Sequence, residues 1–410
     1  MKVLMVNKFL YPAGGAETYV FKLGKYLEEH GCQVEYFGMY HPENAAGNSL
    51  GLYGKAVDFH RKGILSNMIN PLKVIYSPDA RKKISWILEK FRPDVMHVNN
   101  FNYQLTPSIL EAADMYRKKT QRKLKIIYTA HDPQLVCPNH YLYHPGTFEI
   151  CERCLGGRYI NCVLSRCIHG SAIRSCLGAA EALYWKRRNV YDVFDTILCP
   201  SVFMKEKLDT DPVLAQKTMF LRNFVRPVKR EKKKKGRYVL YFGRYSEEKG
   251  VRMLLDVCKE LREIPFIFAG AGPLENLFLE TDNVRNIGFL KDEELDQMIR
   301  GARFTVVPSV CSENCPFSVM ESIMDYTPVL GAERGGIPEL IEEGKTGWLF
   351  QAGNPNMLRK RIEEIWYSDE PEILSGFCRN IQFDSIDEYG EKIMKIYETH
   401  WRGEMSDRKD

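Results

Sequence analysis

Two glutamates separated by seven residues flank the start of a predicted helix. The segment Phe304–Val307 is a short run of β-branched and aromatic residues, which predicts a buried strand, and Pro316 marks the first turn of the following helix. Glu313 then lies in the loop before this helix, and Glu321 lies inside it. Because a helix N-terminus favours an anion and a carboxylate accepts hydrogen bonds from hydroxyl groups, this arrangement suits a sugar phosphate.

A glycine-bounded turn with two cations follows an earlier strand in the same half of the chain. The predicted strand Tyr238–Phe242 runs into Gly243 and Arg244, and Lys249 lies just before the next helix. Cations of this kind neutralise a diphosphate. The turn is therefore predicted to hold the phosphates of a nucleotide.

A second glycine turn follows the predicted strand Phe266–Ala269. Gly270 and Gly272 leave room for a ligand close to the backbone. A dinucleotide-binding fingerprint would need a third glycine and an acidic residue about 20 positions later, and the third glycine is missing here. Binding of a nicotinamide cofactor is therefore not favoured.

Together, these motifs resemble the nucleotide-sugar domain of retaining glycosyltransferases of family four, and the resemblance covers nearly the whole chain. Members of that family have the GT-B fold, so the resemblance implies two doubly wound α/β domains with parallel sheets that face each other across a cleft. It implies that Arg244 and Lys249 bind the diphosphate and that Glu321 binds the ribose hydroxyls. It also places Glu313 near the donor sugar and its phosphate.

The resemblance assigns further donor contacts to backbone groups. Phe317 and Ser318 open the helix after the first glutamate and would offer N–H groups to the sugar or phosphate. In similar enzymes, the loop between the first strand and the first helix touches the donor phosphates and the acceptor. The glycines assigned to the donor site are Gly14, Gly15, Gly243, Gly270 and Gly272.

Polar residues at two further strand ends predict the acceptor side. His131 and Asp132 end the strand-like run Ile126–Ala130, and by resemblance His131 is the cleft histidine that contacts the donor sugar. His97, Asn99 and Asn100 end another predicted strand. These three residues and Asp132 are predicted to bind acceptor hydroxyls, with a structural role for the histidine as the alternative.

A cysteine cluster requires a separate explanation. Six of the twelve cysteines fall between residues 137 and 176, in a segment with little hydrophobic periodicity. Two pairs with the spacings x2 and x4 suit a tetrahedral zinc ion, which would fold such a segment. The predicted ligands are Cys151, Cys154, Cys162 and Cys167, with Cys137 and His169 as alternates. Reduced buried thiols, or less readily an iron–sulfur cluster, are the other interpretations.

Strand-like and helix-like segments alternate along both halves, which indicates two doubly wound domains. The predicted boundaries are 1–200 for an N-terminal acceptor-side domain and 201–383 for a C-terminal nucleotide-sugar-binding domain. Residues 137–176 are predicted to form a Cys-rich insertion. Some bacterial polysaccharide glycosyltransferases resemble this chain in having such an insertion. Residues 384–410 are predicted to form a helix that returns to the first domain, as in the family.

Two basic segments suggest peripheral contact with an anionic membrane. Residues 226–236 have the composition of an exposed interdomain linker, and such runs also bind acidic lipids. Residues 179–190 read as an aromatic and basic helix, which either lies on a membrane or packs as an ordinary helix.

Composition and charge narrow the class of protein. The chain has 410 residues, 44% of them hydrophobic, and a net charge of +5, which is too small to imply nucleic acid binding. The N-terminal residues lack the apolar core and cleavage site of a signal peptide, and no apolar run reaches membrane-spanning length. These features predict a cytoplasmic protein, with a place at the inner face of the membrane as a further expectation.

The resemblance implies a hexosyltransferase-type enzyme. It would move a sugar from a nucleotide-sugar donor to a glycan or lipid-linked glycan acceptor, with retention of configuration, in cell-surface polysaccharide biosynthesis. The donor half contains no Asp-x-Asp motif, which agrees with a donor site that needs no metal. The alternatives are a nucleotide-sugar epimerase of the same two-domain shape and a zinc-dependent nucleic-acid-binding protein.

Overall fold

The computed structural model describes residues 1–55, 72–144, 147, 149–226, 235–278 and 282–399. Most of the basic segment interpreted as a linker, residues 227–234, therefore lies outside the described residues. The chain divides into two compact units. Unit 1 comprises Met1–Pro145, Cys151–Leu221 and Ile386–Asp410, and unit 2 comprises Gly146–Ile150 and Arg222–Ser385.

The described residues of unit 1 form a parallel sheet of six strands in the order β2-β1-β3-β4-β5-β6. The strands are β1 Lys2–Val6, β2 Gln33–Phe37, β3 Val95–Val98, β4 Lys125–Thr129, β5 Thr196–Cys199 and β6 Thr218–Phe220. The helices are α1 Gly15–Glu29, α2 Leu72–Ile75, α3 Pro78–Phe91, α4 Ser108–Thr120, α5 Ile160–Leu164, α6 Ala172–Arg187, α7 Val202–Asp209, α8 Pro212–Ala215 and α14 Ile386–Glu398.

Local signals explain where these helices begin and end. At the start of α3, the Ser77 side chain accepts a hydrogen bond from the Ala80 N–H, and Pro78 occupies the first turn. The helix ends at Phe91, and the next residue, Arg92, has left-handed backbone angles. Along β3 all four residues are buried, as expected for a central strand covered by helices on both faces.

The C-terminal helix α14 packs against α1 within unit 1. The hydroxyl groups of Tyr19 on α1 and Tyr389 on α14 are 2.8 Å apart, and both side chains are fully buried. Gly390 allows the close approach, because a Cβ at that position would lie 2.2 Å from the ring of Tyr26. This packing joins the last described helix of the chain to the first one.

The described residues of unit 2 form a second parallel sheet of six strands, in the order β12-β11-β10-β7-β8-β9. The strands are β7 Val239–Phe242, β8 Phe266–Ala269, β9 Val284–Asn286, β10 Phe304–Val307, β11 Val329–Ala332 and β12 Gly347–Phe350. The helices are α9 Val251–Glu260, α10 Asp292–Gly301, α11 Phe317–Met324, α12 Pro355–Tyr367 and α13 Glu370–Cys378. The strand order reverses between β7 and β10, which defines the topological switch point where open parallel sheets bind ligands.

Three sequence-based boundaries differ from the structure. Unit 1 extends to Leu221 rather than to residue 200, because β6 pairs with β5 at the edge of its sheet. Helix α11 begins at Phe317, and Pro316 stands outside it with extended backbone angles. The aromatic and basic segment 179–190 belongs to α6 only up to Arg187, and this helix already begins at Ala172, where the Ser171 side chain caps it.

Candidate functional site

In unit 2, the loops that carry the predicted donor residues follow three parallel strands, and the loop of Gly335 follows a fourth. Gly243 and Arg244 follow β7, and Gly270 follows β8. The loop that contains Glu313 follows β10, and Gly335 follows the end of β11. Because the carboxyl ends of parallel strands share one edge of a sheet, these loops lie together at the switch point.

Two glycines permit the close packing of these loops. A Cβ on Gly270 would lie 1.9 Å from the carbonyl oxygen of Gly243. Gly335 has a left-handed φ of 61°, and a Cβ there would lie 2.1 Å from the carbonyl oxygen of Glu313. The same carbonyl accepts a hydrogen bond of 2.7 Å from the Gly336 N–H. The backbone at Glu313 is thus held by a turn that only glycine can form without strain.

Glu313 and Lys249 form a partly buried ion pair. Lys249 Nζ lies 2.6 Å from Glu313 Oε1, and the same oxygen accepts a hydrogen bond of 2.7 Å from the Ser309 hydroxyl. Burial lowers the pKa of Lys249, but the neighbouring Glu313 carboxylate raises it further, so this pKa lies above its ordinary value. Lys249 is therefore a cation at neutral pH. Ser309 was missed in the sequence analysis, because a serine at a strand end carries no distinctive signal.

Glu321 is held by an arginine that sequence reasoning assigned to the linker. Arg226 Nε lies 3.2 Å from Glu321 Oε1, and Arg226 Nη2 lies 2.5 Å from Asp296 Oδ1 on α10. Behind this group, Arg300 Nε lies 3.4 Å from Asp325 Oδ1, and burial raises the pKa of Asp325 to about 7. No sequence spacing links Arg226 to Glu321, since the two residues meet only through the tertiary fold.

The other predicted donor residues of unit 2 differ in exposure. Arg244 is exposed at the strand edge, and its Gly243 neighbour is exposed as well. Phe317 packs on Phe224, with 6.0 Å between ring centroids. Phe317 and Ser318 are the first residues of α11, so their N–H groups have no acceptor within the helix and point to its N-terminal side. This arrangement agrees with backbone contacts to an anion.

In unit 1, Gly14 and Gly15 lie at the start of α1, and both are exposed. Gly14 has a φ of 177°, an extended value that any residue can adopt. A Cβ on Gly14 would make only an ordinary contact of 3.5 Å with Glu17. The backbone therefore does not require glycine at position 14, and the predicted role in ligand approach stays a prediction.

His131 is a neutral imidazole at the end of β4. Its Nε2 lies 2.8 Å from Asn99 Oδ1, which can only accept, so His131 donates this hydrogen bond. The Asn99 amide N–H₂ in turn donates to the carbonyl of Val6. Burial lowers the pKa of His131 to about 3. Asn99 thus sets the orientation of His131, a role that the sequence analysis did not anticipate.

His97 lies in the core of unit 1, which disagrees with an acceptor-binding role. Its side chain is fully buried, and Nδ1 and Nε2 lie 2.6 Å and 2.7 Å from the hydroxyls of Tyr397 and Thr129. Burial lowers the pKa of His97 to about 3. The prediction failed because β3 is central in the sheet and α14 covers this histidine. His97 therefore has a structural role in the core of unit 1.

Asn100 and Asp132 have different environments from His97. The buried Asn100 Oδ1 has no hydrogen-bond partner in the part of the chain that the structure describes. Such an atom is normally satisfied by water or a ligand, which agrees with the predicted acceptor role. Asp132 Oδ1 accepts a hydrogen bond of 2.9 Å from the Gln134 N–H, and its side chain remains partly exposed.

Five cysteines line one small cavity of unit 1, and all twelve cysteines of the chain carry free thiols. The five are Cys137, Cys151, Cys154, Cys162 and Cys167. Cys137 was only an alternate in the sequence analysis, and His169 does not line the cavity. Among the described residues, no group of three or more His, Cys, Asp or Glu side chains is arranged to hold a metal ion. The structural zinc ion therefore stays a prediction.

Two units with six-stranded parallel sheets, one of which gathers cations and carboxylates at its switch point, have the fold of GT-B glycosyltransferases. Residues 13–228 match the family model described as Glycosyltransferase Family 4, and residues 225–373 match the model described as Glycosyl transferases group 1. The first match covers more than half of the chain. The chain belongs to glycosyltransferase family 4.

Curated relatives match over part of their length. The chain is 37% identical to the sulfoquinovosyl transferase SQD2 of Arabidopsis thaliana over 36% of this chain and 30% of that protein. It is 29% identical to the putative colanic acid biosynthesis glycosyltransferase WcaL of Salmonella typhimurium, over 33% of this chain and 37% of WcaL. The phosphatidyl-myo-inositol mannosyltransferase of Mycobacterium leprae is 25% identical, over 40% of this chain and 47% of that protein. The match spans about a third to a half of these relatives.

Among solved structures, Anabaena HepE in complex with UDP and glucose superposes with a TM-score of 0.64 at 16% identity, over 97% of this chain and 99% of HepE. The lipopolysaccharide outer core galactosyltransferase WaaB gives a TM-score of 0.57 at 16% identity, over 96% of this chain and 98% of WaaB. These likenesses confirm the predicted GT-B fold. Within the described residues, no helix has both the length and the apolar composition needed to cross a bilayer.

Proposed function

We propose that this chain transfers a hexosyl group from a nucleotide-sugar donor to a glycan or lipid-linked glycan acceptor, with retention, in cell-surface polysaccharide biosynthesis. The observation that carries the proposal is the pair of glutamates in unit 2, each held by a cation. Lys249 contacts Glu313, and Arg226 contacts Glu321. Family membership and the names of the curated relatives support glycosyl transfer. They do not favour an epimerase or a nucleic-acid-binding protein.

Charge explains how the donor would bind and react. Arg244 and Lys249 neutralise the diphosphate, so that it can leave when the bond between it and the anomeric carbon breaks. The acceptor hydroxyl attacks the anomeric carbon from the same face. Its proton passes to an oxygen of the leaving diphosphate, and the new glycosidic bond keeps the original configuration. In this scheme, no protein carboxylate acts as a nucleophile, and the protein cations supply the charge stabilisation.

The carboxylates would position the donor. Glu321, which pairs with Arg226, would accept hydrogen bonds from both ribose hydroxyls. Glu313 lies at the loop rim, where it would contact the transferred sugar while Lys249 turns to the phosphate. On unit 1, neutral His131 would offer hydrogen bonds without adding charge, and Asn100 and Asp132 would bind acceptor hydroxyls.

Nucleotide binding by a Glu321→Ala variant tests the proposal. HepE was solved with UDP, which makes UDP the first nucleotide to try beside GDP and ADP. We expect one nucleotide to raise the thermal unfolding temperature of the native protein. In the variant this shift should disappear, because the ribose loses its carboxylate partner, and turnover should fall at least about 100-fold.

Glu364→Ala is the matched control, because Glu364 is a half-exposed glutamate of α12 in the same unit. It should keep both the nucleotide shift and the turnover. A nucleotide shift that survives in Glu321→Ala would remove this residue from the ribose site. Absence of any shift in the native protein would contradict a nucleotide-sugar donor.

A structural zinc ion in the cysteine cavity remains a separate proposal, which rests on cysteine spacing and on the shared cavity. If it holds, protein purified under reducing conditions contains about one zinc per chain by elemental analysis. Cys162→Ser should then lower the zinc content, whereas Cys176→Ser, at an exposed cysteine that does not line the cavity, should not. Zinc-free native protein would favour the alternative of reduced buried thiols.

A further inference from the structure

The surface of unit 1 between residues 153 and 189 is strongly basic. This segment contains seven Lys or Arg residues and one acidic residue, Glu181. The whole chain has a net charge of +5, so the remainder of the chain sums to −1. Glu181 is buried, and burial raises its pKa to about 8, so it does not offset the basic surface at neutral pH. This segment is therefore one of the basic segments of the chain, beside residues 226–236.

Three aliphatic side chains project from the same segment into solvent. Ile160 and Leu164 are 63% and 73% exposed, and they lie on one face of α5 because they are four residues apart. Ile173, in the first turn of α6, is 83% exposed. Helix α5 packs against α6. Aliphatic side chains of this size gain stability when they are buried, and a group of them that is exposed marks an interaction surface.

The opposite side of α5 explains why these residues cannot turn inward. Cys162 lies between the two aliphatic residues and is 1% exposed. With Cys154, Cys167 and Tyr159 it forms a small core of its own. The cysteine core thus occupies the inner face of α5, and the aliphatic residues are held on the outer face.

An exposed arginine accompanies each aliphatic residue within two positions in the sequence. Arg158 precedes Ile160 by two positions, Arg166 follows Leu164 by two positions, and Arg174 directly follows Ile173. None of the three arginines forms an ion pair with another described residue. Lys186 and Arg188, in contrast, are paired with Asp211 and Glu111. The charges closest to the aliphatic residues therefore remain available to an external anion.

We propose that Ile160, Leu164 and Ile173, with Arg158, Arg166 and Arg174, form a docking face for an anionic lipid surface. Aliphatic side chains enter the boundary between headgroups and acyl chains, while cations attract acidic headgroups. A nucleic acid would instead be bound with stacking aromatic residues, and the exposed apolar residues of this face are aliphatic. The docking face deepens the proposed function, because it names the surface at which the protein would reach a lipid-linked acceptor. Only this link to the acceptor rests on the proposed function.

Vesicle binding by the full chain tests the docking face without any turnover. The protein is sedimented with vesicles of phosphatidylethanolamine and phosphatidylglycerol, and separately with phosphatidylcholine vesicles, at low and high NaCl. We expect binding to the anionic vesicles that weakens with salt, and little binding to phosphatidylcholine. The triple variant Ile160→Ser/Leu164→Ser/Ile173→Ser should bind anionic vesicles at least tenfold more weakly. The variant Arg158→Gln/Arg166→Gln/Arg174→Gln should lose most of the salt dependence.

The matched control is Phe289→Ser/Tyr367→Ser/Ile373→Ser, which removes three exposed apolar side chains from unit 2. It should bind vesicles like the native protein. Equal binding to both kinds of vesicle, unchanged binding of the Ile160 triple variant, or an equal loss in the control would overturn the docking face. Nucleotide shifts of all variants are measured without vesicles, so failure of the proposed donor site is detected separately.

Discussion

Replacing Lys249 by alanine is expected to lower kcat by about 100-fold to 1,000-fold, the effect of removing one group that stabilises developing charge. Lys249 is a cation beside Glu313, and it is only one-third exposed, so bulk water cannot take its place fully. Without it, the diphosphate loses a neutralising charge as the sugar leaves. Release of nucleoside diphosphate from the sugar donor, identified with a donor panel, measures this effect.

The control is Lys259→Ala, at a well-exposed lysine of α9 that pairs with Asp256. This variant should retain the native kcat, because a surface ion pair of this kind contributes little. Lys249→Arg should recover part of the activity, since it keeps the charge but changes the shape of the group. Native-like turnover of Lys249→Ala, with the fold intact by circular dichroism, would exclude Lys249 from the reacting centre.

Gly270→Ala is expected to destabilise unit 2 by about 3 kcal/mol, the range for forced overpacking. The added Cβ would lie 1.9 Å from the backbone carbonyl oxygen of Gly243. Gly270 and Gly243 follow the ends of two adjacent strands, β8 and β7. Neither strand can move without breaking the parallel ladder between β7 and β8. Urea unfolding followed by circular dichroism and tryptophan fluorescence measures the change.

Gly376→Ala provides a control with the opposite expected sign. Gly376 lies inside α13, and no atom lies within 4 Å of a Cβ added there. Alanine should therefore stabilise unit 2 by about 0.5–1 kcal/mol through its higher helix propensity. If Gly270→Ala unfolds at the same urea concentration as the native protein, the two turns do not approach each other as closely as described.

Most of the fold was predictable from local patterns. The runs that form β1, β3, β8 and β10 are short, apolar and bounded by polar or glycine residues, and they are strands in the structure. The edge strands β6 and β12 were missed. Strand β6 leaves Met219 and Phe220 exposed, whereas β12 is buried but only four residues long. The loop position of Glu313 and the helical position of Glu321 were also predicted correctly, since Pro316 separates strand from helix in the sequence.

The contacts of the candidate site were decided by tertiary structure. His97 and His131 are both histidines near the end of a strand, and the sequence does not distinguish them. In the structure, α14 covers His97, whereas His131 lies beside Asn99 at the strand end. Arg226 lies 95 positions before Glu321, so no periodicity relates them. Local propensity determines which residues become strand, helix or turn, because those preferences act over a few neighbouring residues. Which side chains are buried, paired or left exposed depends on how distant elements pack, and a single sequence carries little record of that packing.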